Sequence, residues 1–237
     1  MCYCVTLFVM DLEALWLTLR LAGSTTAILL LAGVPLAWWI TSGCGPGRAF
    51  IQAVVALPLV LPPTVLGFYL LIAMGPLTAP GRLLMRMFGH PLAFSFSGLL
   101  IGSVIYSLPF AVQPLVAGFG AVDRAYVEAA QGLGASPWRV FGTVVLPMAR
   151  ASLLTSAVLA FTHTVGEFGV VLMLGGNIPG VTRTLSISLY DLVQEGNYAA
   201  ANRTALVLLV ISMTALLAIY LLPTLRKTDG RQADIVQ

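Results

Sequence analysis

His163 and Glu167 stand four apart in the sequence, a spacing that puts both on one face of a helix. They lie in an otherwise apolar stretch, where an ionisable residue is a functional hypothesis by default. Zinc does not fit the pair, because no second nearby His or Cys completes a ligand set. A carboxylate would repel any anion that came near it. Glu167, between the glycines of GEFG, therefore reads as a buried hydrogen-bonded clamp or gate element rather than a ligand. Thr162, Thr164 and His163 offer hydrogen-bond donors. Asn177, Thr182, Arg183 and Thr184 in GGNIPGVTRT (175–184) offer more, and a guanidinium fork suits an oxyanion with two parallel bonds. The other reading of that segment is a surface that docks a partner protein or caps the bundle. Ser97 of SFSG and His163 would make a hydrolase pair if they met in space. Cys2, Cys4 and Cys44 form neither a zinc framework nor a disulfide scaffold. No catalytic set and no metal site are assigned.

The elements that hold these residues follow from charge. The chain has 237 residues, 12 Lys+Arg and 9 Asp+Glu, and is 59% hydrophobic and 9% charged, against roughly 25% charged in soluble domains. Windows 21–47, 49–81, 87–122, 151–166 and 204–225 hold no Asp, Glu, Lys or Arg. About 20 mostly apolar residues suffice to cross a bilayer as a helix. The chain therefore reads as an all-α polytopic membrane protein with five spans, near 15–40, 50–74, 94–119, 148–175 and 204–223. A net charge of +3 with no basic stripe excludes a nucleic-acid surface. Pro58, Pro62 and Pro63 remove backbone donors in the second span. Such breaks persist where freed carbonyls face protein or a water-filled cavity, so this span is a pathway wall or a packing kink. Gly98 and Gly102 suit a close helix–helix contact.

Orientation comes from the basic residues. One side collects Arg48, Arg124, Arg139, Arg150, Arg226, Lys227 and Arg231, the other Arg82, Arg86, Arg183 and Arg203, with Arg20 at an edge. The richer side is cytoplasmic by the positive-inside rule. Residues 1–11 then form a short external segment, with Met10 an alternative start and no basic flank of a signal peptide. The tail 224–237 is cytoplasmic, as is the loop 120–147, while 176–203 is external.

That cytoplasmic loop predicts two short amphipathic helices about a glycine hinge at Gly132–Gly134. Asp123 caps the first, and Val122, Tyr126, Ala129, Ala130 and Leu133 share its apolar face. Ser136 caps the second, with Pro137 at its first position. Pro147 closes the segment where the next span begins. Such order in a small loop suits a docking element or a helix lying on lipid.

Residues 128–147, EAAQGLGASPWRVFGTVVLP, resemble the EAA loop of bacterial ABC importer permeases. Glu128, Ala129, Ala130, Gly134, Leu146 and Pro147 match its pattern, and Val144 replaces an isoleucine. LPLVLPPTVLGFYLL (57–71) and VGEFGVVLMLGGNIPGVTRTLSISLYDLV (165–193) resemble molybdate permeases, and less closely their sulfate relatives. The likeness runs over 12–223 and implies a type I importer permease domain. It implies that a partner ATPase grips the loop at Glu128–Gly134, that two permeases form a homodimer, and that a periplasmic binding protein delivers the oxyanion. ATP and Mg would be bound by the partner, since Lys227 is the only lysine and no P-loop is present. The chain itself would hold no cofactor. Pro62, Pro63, Thr162, His163 and Glu167 would belong to the pathway or its gate, and Asn177, Arg183 and Thr184 to external contact with the oxyanion or its binding protein. Sulfate, thiosulfate or tungstate permeases, an intramembrane serine hydrolase and a membrane scaffold are the rivals.

Overall fold

The structure, a computed structural model, describes residues 11–43 and 45–233, with side chains as far as Leu221. The readings placed on residues 1–10, on Cys44 and on the side chains of the tail lie outside these. The described residues form helices and turns, with no strand among them. In chain order the helices are α1 Leu12–Thr41, α2 Pro46–Val60, α3 Pro63–Met74, α4 Ala79–Phe88 and α5 Phe96–Gly120. Then come α6 Arg124–Gly132, α7 Pro137–Val140, a π-helical turn Phe141–Val145 and α8 Leu146–Met148. The chain continues as α9 Arg150–Gly166, α10 Gly169–Gly175, α11 Leu185–Gln194 and α12 Tyr198–Ala233.

Three of the five expected spans are unbroken: α1, α5 and Tyr198–Leu221 of α12 are each long and apolar enough to cross a membrane. The second is broken, since α2 and α3 meet at 111°. The approach to the fourth is bent by 73° where Pro137–Met148 meets α9. The fourth span is broken again between α9 and α10 at Glu167 and Phe168. The helix of the fifth span, α12, starts at Tyr198, earlier than expected, and runs on through the stretch read as a tail.

Packing fixes the directions. Leu17 and Leu21 of α1 share one buried cluster with Leu99 of α5. Ala37 and Ile40 share another with Leu115 and Phe119, so α1 and α5 run parallel. The span α9–α10 runs antiparallel to them. Gly118 faces Ser152, Ser156 Oγ donates to the Ala111 carbonyl at 2.6 Å, and Gly102 faces Val170 and Leu174. Val55 of α2 packs in the second cluster, while Leu66 and Leu70 of α3 pack against the first. Despite its bend, that pair carries the chain from one end of α5 to the other.

The two small residues at the start of α5 do different jobs. A Cβ on Gly102 would meet Leu174 and Val170 of α10, the helix contact expected for it. A Cβ on Gly98 would run into the Leu92 backbone carbonyl. Gly98 therefore serves the turn that enters α5, not a helix pair, and Ser95 Oγ caps the same turn by accepting the Gly98 N–H at 3.2 Å. Because backbone cannot step aside, Gly98→Ala is expected to cost about 2–3 kcal/mol. The check is the thermal stability of the purified protein in detergent; an unchanged midpoint would refute the contact.

Candidate functional site

The breaks of the second and fourth spans meet. α2 ends at Val60 and α3 begins at Pro63, and the Pro62 carbonyl accepts the N–H groups of Val65 and Leu66 at 3.0 and 3.1 Å. A Cβ on Gly169 would sit 2.9 Å from Pro63 Cβ, and one on Gly67 would sit 2.8 Å from Met173 Cβ. Backbone of one broken span thus lies directly on the other. Glu167 stands in the second break and is 5% exposed. Its carboxylate accepts the N–H of Val170 at 2.8 Å and of Val171 at 3.4 Å. Its carbonyl accepts from Ser186 Oγ at 2.6 Å. Helix N-termini leave N–H groups that hydrocarbon cannot satisfy, and here the chain's own carboxylate occupies them.

One turn before the break, His163 lies between α9 and α5. Its Nδ1 is 2.9 Å from Ser107 Oγ, and its ring stacks on Phe110 at 3.8 Å with Tyr106 at 4.9 Å. Ser107 Oγ is 3.0 Å from Thr164 Oγ1, which donates to the Ala160 carbonyl at 2.8 Å. Thr164 has one proton and spends it on that carbonyl, so Ser107 donates to Thr164 and Nδ1–H donates to Ser107. This assigns the tautomer and leaves Nε2 as the nitrogen without a hydrogen-bond partner among the described residues. Thr162 Oγ1 donates to the Val158 carbonyl at 2.8 Å, which leaves its lone pairs for other contacts.

Ser97 does not meet His163. It bonds to Ser95 at 3.1 Å at the start of α5, and at 1.5 Å rise per residue it is about 15 Å along the helix from Ser107. Ser107, the serine that does reach the imidazole, is fully buried and closed to a substrate. The hydrolase rival therefore lacks its pair. Among the described residues no group of three His, Cys, Asp or Glu is placed to hold a metal.

The segment after α10 is tied to itself. Arg183 Nε donates to Asn177 Oδ1 at 2.7 Å, and Asn177 Nδ2 donates to Asp191 Oδ2 at 2.8 Å. The guanidinium also lies 3.7 Å from that carboxylate. Thr182 Oγ1 donates to the Gly175 carbonyl at 2.7 Å. Thr184 is 2% exposed and bonds to Ser186, so it faces the bundle rather than the outside. Asp191 is the partner sequence reasoning missed; it sits eight positions from Arg183 across a turn, with no pattern to join them.

In the loop, Asp123 Oδ1 caps α6 by accepting the Ala125 N–H at 2.9 Å. Ser136 precedes α7 without a side-chain cap bond, contrary to its expected role. The apolar face divides differently from its helical spacing. Val122, Val127 and Ala130 pack on the second cluster, whereas Tyr126, Ala129 and Leu133 are exposed, Leu133 by 90%. Glu128 is exposed beside them. Leu146 packs on the cluster. Pro147 lies inside α8, and the span itself begins at Arg150, beyond the bend at Ala149.

With this geometry in place, the relatives decide between the readings. The profile of the binding-protein-dependent transport system inner membrane component family matches residues 25–226. The chain belongs to this family. It is accordingly a permease subunit of a transport system, a membrane protein and not an enzyme. It is 50% identical over 210 residues to the molybdenum transport system permease protein ModB of Azotobacter vinelandii, covering 89% of this chain and 93% of that one. The corresponding protein of Escherichia coli strain K12 is 35% identical over 206 residues, with 86% and 90% covered. The chloroplastic sulfate permease 2 of Chlamydomonas reinhardtii is 34% identical over 205 residues, and the match covers 86% of this chain and 55% of that protein. The fold matches a bacterial ABC transporter that imports alginate, with a TM-score of 0.74 at 22% identity over 92% of this chain and 82% of that one. An inward-facing methionine transporter MetNI matches with 0.69 at 17% identity over 92% and 96%. The type I importer permease fold of this family is thus the fold of this chain.

Proposed function

We propose that this permease carries molybdate inward across the cytoplasmic membrane. The observation that supports this most is the 50% identity to a molybdenum permease over nearly the full length of both chains. Two copies would enclose the pathway and two ATPase subunits would bind ATP and Mg on the cytoplasmic side, this chain holding neither. A periplasmic binding protein would deliver the oxyanion to the face carrying Asn177 and Arg183, with Thr184 buried behind them. The N-terminus would lie outside and the segment beyond Leu221 inside, with 12–223 as the permease domain. Glu128, Ala129, Gly134 and Pro147 would be the coupling contact, with Ala130 and Leu146 seating it on the bundle, and the exposure of Tyr126, Ala129 and Leu133 gives an ATPase an apolar face to grip. Pro62, Pro63, Thr162, His163 and Glu167 would line or brace the pathway. A conduit must not hold its cargo tightly, so discrimination would rest mainly with the binding protein.

The test is uptake of radiolabelled molybdate by cells lacking their own molybdate importer and given this permease with its ATPase and binding protein. Uptake should appear and should yield to unlabelled molybdate ahead of sulfate. Competition by sulfate at equal or lower concentration would favour a sulfate permease. No uptake of either would remove the proposal.

A further inference from the structure

Four aromatic rings join the cytoplasmic loop to the spans. Trp38, on the last turns of α1, lies 4.8 Å from Trp138 of α7 and 4.7 Å from Phe141 of the π-helical turn. Phe141 in turn meets Phe119 of α5 edge-on at 5.7 Å. Around this contact Val127, Ala130, Val140 and Val145 of the loop also pack on the second cluster, beside an open groove. A groove of about 860 Å³ separates α6 from the ends of α1, α2 and α5, and Thr41, Gln52, Phe119, Glu128 and Gln131 are among its walls. Trp38 also lines that groove, so it stands where the gap closes. Trp138 is 69% exposed, which a ring serving only as core filling would not be.

The end of α1 is closed by its own last residues. The Trp38 carbonyl accepts the Ser42 N–H at 2.9 Å, Ser42 Oγ at 2.6 Å and Thr41 Oγ1 at 3.1 Å. The helix then runs unbroken to the other end of the bundle, where Thr18 Oγ1 accepts the Leu185 N–H at 2.9 Å. Leu185 opens α11, directly after the segment that holds Arg183. A displacement of Trp38 therefore has one continuous helix, with Pro35 inside it, along which to reach the segment before α11.

We infer that Trp38 is the positioning residue through which movement of the cytoplasmic loop is passed to α1, with Trp138 and Phe141 as its contacts. The inference rests on the proposed function, since the movement would come from ATPase subunits gripping Glu128–Gly134. Trp38 touches no substrate and no nucleotide. Its work is to keep the loop and α1 moving as one body, so its loss should separate ATP hydrolysis from transport rather than stop either assembly or hydrolysis.

The experiment uses the complete complex in proteoliposomes with its binding protein, reading molybdate moved per ATP hydrolysed. Trp38→Ala and Trp138→Ala should each lower that ratio about fivefold or more, the size of a lost coupling between sites. Trp38→Phe should restore most of it. Because the two rings meet in one contact, the double variant should be no worse than the poorer single one. Trp138 is mostly exposed, so Trp138→Ala decides the matter if Trp38→Ala fails to assemble. An assembled Trp138→Ala complex with a ratio within about twofold of the native one would overturn the inference. A native complex that hydrolyses ATP but moves no oxyanion would overturn the proposed function, and this inference with it.

Discussion

Gly134→Val is expected to cut uptake by about tenfold or more while leaving the protein inserted in the membrane. Gly134 has φ +84°, and two bonds close the turn around it: its own N–H to the Gln131 carbonyl at 2.9 Å and the Ala135 N–H to the Ala130 carbonyl at 3.1 Å. That pair of bonds is a Schellman stop at the end of α6. The left-handed conformation costs an L-residue about 1–2 kcal/mol, more when it is β-branched. Nothing stands within 4 Å of an added Cβ, so the penalty is conformational and cannot be relieved by moving a neighbour. The chain would leave the turn instead, swinging Leu133 and the exposed face of α6 away from α7. Gly134→Asn tolerates the left-handed region better and should retain a larger share of uptake. Immunoblotting of membranes separates insertion from function. Normal uptake by a well-inserted valine variant would count decisively against the docking role of this turn.

That stop also shows where sequence reading reached its limit. Gly132 and Gly134 suggest a hinge, and both lie in the loop, but only Gly134 takes the left-handed conformation; Gly132 is the last residue of α6. The spans themselves were legible because hydrocarbon excludes charge, so a window without Asp, Glu, Lys or Arg is a physical record of burial in lipid. Inside the spans that record is blank. Leu, Val and Gly look alike to a charge count whether they face lipid or another helix, and the 111° bend between α2 and α3 shows only as prolines that fit a kink equally well. The face of α6 was misjudged for the same reason. Spacing placed Tyr126 and Leu133 with Ala130, yet Val127 completes the packed face, and which side of a short helix meets the bundle depends on where α1 and α5 end. Ser107 carried no signal: it is one hydroxyl in an apolar run, and only the register of α9 against α5 gives it His163 as partner.

Glu167→Ala is expected to destabilise the folded permease by about 2–4 kcal/mol. The carboxylate is the acceptor for the Val170 and Val171 N–H groups, and in a dry bundle each orphaned donor costs about 1–3 kcal/mol. The longer of the two bonds, 3.4 Å to Val171, should contribute the smaller part. Position makes the loss worse, because the break that Glu167 bridges lies against Pro63 through Gly169. A loosened α10 would therefore release the second span as well as the fourth. Glu167→Gln keeps one oxygen for Val170 but turns an amide donor toward Val171, so its stability should fall between the native protein and the alanine variant. Uptake per folded molecule then distinguishes a brace from a gate. If Glu167 acts by holding the two halves of the span, the glutamine variant should transport in proportion to the amount that folds. If its negative charge instead repels anions until the pathway opens, the glutamine variant should leak oxyanion without ATP. Thermal unfolding in detergent gives the first quantity and ATP-free efflux from loaded vesicles the second. An alanine variant as stable as the native protein would overturn the bracing role, since two N–H groups in a closed bundle would then have found acceptors that this arrangement does not offer.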